Sequence, residues 1–255
     1  MPNVSEQFNR DVRSAIDSGV RPIEFRFFPI VDFEDGVEIA YRAEIEIRSL
    51  LIGDMNEKFY ERTVEDKNCG VTFFRHATER AIRVIKTLKR GGKDVKFVSI
   101  KCPASLVEKI DFYETLKEIL KKNTGFDKSK LCIEFSSSVL DKDEEKTRIA
   151  IADVKALGVK TAIRGCGEKD FTVTKLAEVS PDIAYIDKTL TEWADDRNKP
   201  RFFVSFVAFV KNVVSEVIIE GEDKYRKLTR NTDCDGFLST TAKPKSLDEI
   251  IKERE

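Results

Sequence analysis

From Lys130 to Gly167 the chain reads KLCIEFSSSVLDKDEEKTRIAIADVKALGVKTAIRGCG. Residues 130–135 are a short apolar run, residues 144–157 place apolar side chains at helical spacing, and residues 159–164 are extended again. A strand, a helix and a strand of these lengths predict a crossover unit with its two strands parallel.

The unit repeats in both directions. Residues 95–101, 182–187, 216–220 and 236–239 predict further strands, and residues 71–90, 112–122, 172–179, 201–214 and 222–229 predict the helices between them. In the first of those helices Phe74, Ala77, Ala81, Ile85 and Leu88 share one face. The start differs. A short polar amphipathic helix over residues 5–16, closed by Ser18-Gly19, precedes two extended runs, 23–31 and 37–48. The turn signal Glu34-Asp35-Gly36 joins those runs as a hairpin, which an all-parallel barrel would lack. Eight strand candidates suit a closed barrel of the (β/α)8 kind. No repeat, low-complexity linker or composition break divides residues 1–255, so one domain is expected, with residues 1–20 holding the first helix and residues 245–255 forming a charged, exposed helical tail.

Composition narrows the function. Hydrophobic residues at 41% and charged residues at 36% describe a core inside a solvated exterior, not a disordered chain. The 45 Lys plus Arg balance 46 Asp plus Glu, so no overall field favours nucleic acid or an anionic membrane. Five cysteines without a CxxC pair leave one thiol over in any disulfide scheme, which predicts a reducing, cytoplasmic setting. The first residues lack the apolar core of a signal peptide and no run approaches membrane-spanning length.

In such barrels the working residues gather at the C-terminal ends of the strands, because that face collects a contribution from each. The strand ends supply Glu44 and Arg48, Lys101, Glu134, Arg164, Tyr185 with Asp187, Glu220, and Asp235. Acidic residues at the ends of buried strands are costly as packing, so a shared polar pocket is expected.

These ends carry a resemblance. Phe28-Pro29-Ile30-Val31-Asp32 resembles the QPIVDL opening of the EAL family of cyclic di-GMP phosphodiesterases, and Glu44-Ile45-Glu46-Ile47-Arg48 resembles its EALLR signature. Ser99-Ile100-Lys101-Cys102-Pro103 stands where that family has VNLS, and Cys132-Ile133-Glu134-Phe135-Ser136-Ser137 where it has LEITE. Residues 157–167 resemble LGVxxALDDFG, with Arg164 and Gly165 in place of two aspartates. Ile183-Ala184-Tyr185-Ile186-Asp187 is similar to the KID strand, Ile219-Glu220-Gly221-Glu222-Asp223 to AEGVE, and Asp235-Gly236-Phe237-Leu238 to QGYLF. Eight fragments in the family's order, each at or beside a predicted strand, imply an α/β fold, the modified TIM barrel of EAL type with its first strand antiparallel.

The resemblance also implies a chemistry and its loss. Active members hold two divalent cations, Mg2+ or Mn2+, in an oxygen cage that activates water for in-line attack on the dinucleotide. Glu44, Glu134 and Glu220 keep ligand positions, whereas Lys101 replaces an asparagine and Arg164-Gly165 the aspartate pair. Tyr185 takes the place of a lysine that assists the water, and Ser137 that of a glutamate supporting the loop after the aspartates. Ammonium and guanidinium groups donate hydrogen bonds and cannot ligate a hard cation. The expectation is therefore a chain without catalytic residues or metal cofactor, in which Lys101 and Arg164 neutralise the three glutamates. Such a chain would act as a signalling module in cyclic di-GMP pathways by binding another protein, such as a regulator or a diguanylate-cyclase-type partner.

Two alternatives stand beside it. A cyclic di-GMP receptor without hydrolysis would use Arg48 for phosphate, against which Phe28 and Asp235 replace glutamines and Asp235 adds negative charge. A residual phosphodiesterase would use Glu44, Glu134, Glu220 and Asp187 with a single metal.

Other features read more plainly. His76, the only histidine, lies on an amphipathic helix and suggests packing. Cys102 and Cys132 fall in strands as small core residues, Cys166 and Cys234 in loops. Gly165-Cys166-Gly167 has Asp170 where a dinucleotide fingerprint needs its third glycine. Phe202, Phe203, Phe206, Phe209, Val210 and Val213 make a broad apolar face that suits barrel packing, with a homodimer surface as the alternative. The basic runs 86–93 and 117–122 read as solvated helix faces.

Overall fold

A computed structural model describes residue 14 and residues 23–49, 53–55, 64–65, 69–107, 111–142, 144–168 and 171–252. The helix expected over residues 5–16 lies outside the described residues, apart from a helical residue 14.

The strands are β1 (Ile23–Val31), β2 (Glu38–Ser49), β3 (Gly53–Met55), β4 (Val98–Lys101), β5 (Leu131–Ser136), β6 (Lys160–Cys166), β7 (Ile183–Ile186), β8 (Glu216–Gly221) and β9 (Gly236–Ser239). Their order is β1-β9-β8-β7-β6-β5-β4-β2-β3, and a further β1–β2 pairing closes eight of them into a barrel with β3 appended outside. β1 runs antiparallel to both neighbours, and the pairs from β2–β4 through β8–β9 are parallel. This is the modified TIM barrel expected from the sequence.

Local chemistry sets the joints. Asp32 Oδ1 accepts from Glu34 N at 2.7 Å and Asp35 Oδ1 from Val37 N at 2.9 Å, two Asx turns that fold β1 back onto β2. The helices are α1 (Cys69–Arg90), α2 (Ala104–Val107), α3 (Asp111–Lys122), α4 (Ser138–Lys142), α5 (Glu144–Ala156), α6 (Val173–Val179), α7 (Lys188–Thr191), α8 (Pro200–Lys211), α9 (Asp223–Thr229) and α10 (Leu247–Lys252). Their apolar faces meet the outside of the barrel in a large shared core, which includes Phe74, Ala81, Ile85, Leu116, Ile151, Leu176, Phe203 and Val207. Among the described residues no helix is long and apolar enough to cross a membrane.

Three expectations need refining, and one strand was not foreseen. β3 was not visible, because three residues carry no periodicity. The tail is a helix with residues 248, 249, 251 and 252 exposed, but it is anchored: Ile250 of α10 is fully buried, Ser246 and Glu249 form a reciprocal capping box, and Lys245 pairs through its backbone with Phe27. The apolar face of α8 is divided, with Phe203 and Val210 buried but Phe202 54% and Phe209 48% exposed. Cys166 is no loop thiol; it ends β6 and is buried.

Candidate functional site

Side chains two apart along a strand share a face, and this period builds the barrel interior in layers. Ala40, Phe97, Cys132, Ala162, Ile183, Ile218 and Leu238 fill an inner apolar cluster together with Tyr185. Two residues further toward the C-terminal ends, Cys132 gives way to Glu134, Ala162 to Arg164 and Ile218 to Glu220, while Ala40 gives way to Arg42 and then Glu44. The apolar layer thus becomes the floor of a charged mouth.

The charges in that mouth are paired. Arg42 is 3% exposed and Glu134 1%, and Arg42 Nε donates to both Glu134 oxygens at 3.1 and 3.0 Å. Arg42 Nη1 also donates to Glu44 Oε1. Arg164 donates to Glu220 in a two-pronged arrangement, Nε to Oε1 at 2.6 Å and Nη2 to Oε2 at 2.9 Å, with its Nη1 4.0 Å from Glu134 Oε1. Burial and the neighbouring Arg42 oppose the charge of Arg164, but Glu220 and Glu134 outweigh them, and its guanidinium is held above the ordinary value. Tyr185 is fully buried below, its hydroxyl 3.3 Å from Ser99 Oγ. Desolvation, with Glu134 nearby, pushes that phenol well above its usual range.

The loop after β6 is tied to the end of β5 through Ser137. Ser137 N donates to Arg164 O at 2.7 Å, and Ser137 Oγ donates to Glu168 at 2.9 Å, so the hydroxyl sits on the β5 side and the carboxylate on the loop. Gly165 marks a bulge in the β6–β7 register and has φ +91°, a conformation that favours glycine. Asp187 N donates to Cys166 O, and its side chain caps α7 by accepting from Thr189 N at 2.8 Å and Thr189 Oγ1 at 2.6 Å. Lys101, Glu134, Ser136, Arg164, Gly165, Glu168 and Asp187 enclose a polar cavity of about 190 Å³ at the mouth.

Of the residues expected at the site, Glu44, Lys101, Glu134, Arg164, Asp187 and Glu220 come together there, and Tyr185 lies beneath them. Asp235 does not join them. It precedes β9 at the opposite end of the barrel, where Oδ2 accepts from Lys211 Nζ at 2.5 Å and from Val217 N at 2.7 Å. The glutamine it replaces in the signature says nothing about depth in the barrel, and β9 begins only after it. Arg48 lies in β2 opposite Asp54, and its side chain is outside the described residues. Arg42, Ser99 and Glu168 were missed. Arg42 had a signal: an arginine two residues before Glu44 on a buried strand must point inward with it.

This donor set does not suit a pair of divalent cations. Hard cations need several free oxygen donors. Here guanidiniums already hydrogen-bond Glu44, Glu134 and Glu220, and among the described residues no group of three or more His, Cys, Asp or Glu side chains is arranged to hold a metal.

A profile described as the EAL domain matches residues 9–233. Among curated proteins none matches. Among solved structures, the phosphodiesterase PaMucR in complex with c-di-GMP superposes with a TM-score of 0.84 at 16% identity, over 96% of this chain and 99% of that one. The EAL enzyme Bd1971, in its cAMP-bound form, gives 0.81 at 15% identity over 98% of this chain and 70% of that one. An EAL domain protein from Listeria monocytogenes EGD-e gives 0.78 at 18% over 99% and 98%. At these identities the structural likeness speaks for the fold, and the profile, which spans most of the sequence, speaks for descent: the chain belongs to the EAL domain family.

Proposed function

We propose that this EAL domain is catalytically silent and serves cyclic di-GMP signalling as a cytoplasmic module that binds another protein. One observation carries the proposal: each carboxylate that keeps a metal-ligand position accepts a hydrogen bond from Arg42 or Arg164. Two-metal hydrolysis needs those oxygens for cations that clamp the attacking and leaving groups. A guanidinium satisfies the same charges permanently and presents no open coordination position for water. Tyr185 offers no substitute base, because a phenol pushed up by burial stays protonated at neutral pH.

Binding of a protein is supported by the surface. Phe202 and Phe209 stand exposed on one flank of α8, with half-buried Phe206 stacked on Phe202 at 6.3 Å and Trp193 packed against Phe202 at 5.4 Å between ring centroids. Barrels host many functions through their surfaces, and such functions outlast an active site.

The test is calorimetric titration of cyclic di-GMP into the protein, with and without magnesium or manganese, while the linear product is assayed in the same samples. Neither heat nor product is expected. Heat without product would make the domain a receptor, and metal-dependent product abolished by Glu44→Ala would make it a phosphodiesterase.

A further inference from the structure

One of the two basic runs, residues 86–93, lines a groove at the end of the barrel opposite the mouth. Residues 80–93 contain six Lys or Arg and no Asp or Glu, in a chain whose net charge is −1. The C-terminal part of α1 and the loop entering β4 form one wall of a groove of about 860 Å³, and residues 124–130, ahead of β5, form the other. Its cations are Lys86, Lys89, Arg90, Lys93 and Lys130, and its acids are Asp94 and Asp127.

Part of this charge is already used. Lys93 Nζ reaches Glu38 at 2.7 Å, and Lys130 Nζ reaches Asp94 at 2.8 Å. Among the described residues no ion pair engages Lys86, Lys89 or Arg90. Beneath them lie Ile85 and Val95, both buried, and half-buried Phe126, with Lys86 Nζ 5.9 Å from the Phe126 ring centroid. The groove therefore has an apolar floor and a cationic rim.

We infer that this groove is a docking site for an acidic polypeptide segment carrying an apolar side chain. The groove greatly exceeds the space a lone phosphate or carboxylate would fill, so the ligand is extended. A single-stranded nucleic acid would need exposed aromatic faces for its bases, and the one aromatic ring here lies under a lysine. Charge complementarity against Lys86, Lys89 and Arg90 steers an acidic chain, and the floor receives its apolar residue. The inference rests on the reading that the domain binds a protein, and it names one surface for that role.

The test uses fluorescence anisotropy with a fluorescein-labelled twelve-residue peptide of glutamate and leucine. The controls are the same peptide with glutamine for glutamate and a thymidine oligonucleotide of equal charge. The acidic peptide should bind, weakening as salt rises. The variant Lys86→Glu, Lys89→Glu, Arg90→Glu should bind it roughly tenfold or more weakly, since three charge contacts on the rim are reversed. Charge reversal on another face, Arg201→Glu, should leave binding unchanged, and circular dichroism should show both variants folded. No saturable peptide binding, equal binding by the triple variant, or tighter binding of the oligonucleotide would overturn the inference. Cyclic di-GMP product in the same samples would overturn the silent-domain reading and leave the groove standing, whereas a silent mouth with no peptide binding would remove the groove alone.

Discussion

Replacing Arg42 with leucine should be among the most damaging single changes in the barrel. The side chain is 3% exposed and supplies both Nε bonds to Glu134 and the bond to Glu44. Without it, Glu134 stays buried at 1% exposure, with Arg164 Nη1 4.0 Å away and Ser99 Oγ at 3.5 Å as its remaining polar neighbours. A buried charge stripped of its partner costs about 3–5 kcal/mol. At roughly 2–4 °C per kcal/mol for a domain of this size, the midpoint of thermal unfolding should fall by about 6–20 °C. Leucine at both positions, Arg42→Leu with Glu134→Leu, removes the orphaned carboxylate and should recover most of the loss, because buried ion pairs and apolar pairs of similar volume are often nearly equivalent. Urea and thermal unfolding of wild type, both single variants and the double variant, followed by circular dichroism, complete the cycle. A cost below about 1 kcal/mol for Arg42→Leu, or a double variant whose loss equals the sum of the two singles, would refute the view that this pair neutralises itself.

Gly165→Ala should cost about 1–2 kcal/mol, since φ is +91° and a Cβ would stand 2.6 Å from Ser137 Oγ and 2.8 Å from Glu168 Cδ; an unchanged urea midpoint would count against the bulge. Burial opposes the charge of Glu38, but Lys245, Lys93 and Tyr41 overcome it and hold the carboxylate below its ordinary 4.5, so its contribution is present above that pH and fades as pH falls through the lowered value. Glu38→Gln should therefore cost stability at pH 7 and progressively less toward pH 3, read from urea midpoints; a cost independent of pH would refute the linkage. Burial pushes the thiols of Cys102, Cys132 and Cys166 well up, so an aromatic disulfide reagent should modify them only on unfolding, and rapid labelling of any one in the native protein would contradict its placement. Cys234, pushed up to about 11 chiefly by burial, should react slowly at pH 7.

The barrel was legible because its strands are short apolar runs separated by helical periods, and the reversed first strand because Glu34-Asp35-Gly36 announces a hairpin. β3 and the buried Ile250 escaped, the first for lack of length and the second because one apolar face amid charges resembles a solvated tail. Most of the site could be read from strand ends, since a parallel barrel fixes which residues face inward. Its electrostatics could not. Arg42 lies outside the signature that draws the eye to Glu44, and its partner Glu134 comes from a strand 92 residues away. Asp235 misled for a related reason: closeness to a motif does not give depth along the axis.

The guanidiniums of Arg42 and Arg164 differ from dissolved cations in one respect that matters to a cell. A metal ion leaves when its free concentration falls, and any stability it lends follows that concentration. A side chain stands beside its carboxylate at a constant effective concentration, fixed by the chain itself. On the proposed reading the mouth of this barrel is deaf to manganese starvation, magnesium fluctuation and chelators, and its shape, together with any surface that depends on it, persists through them.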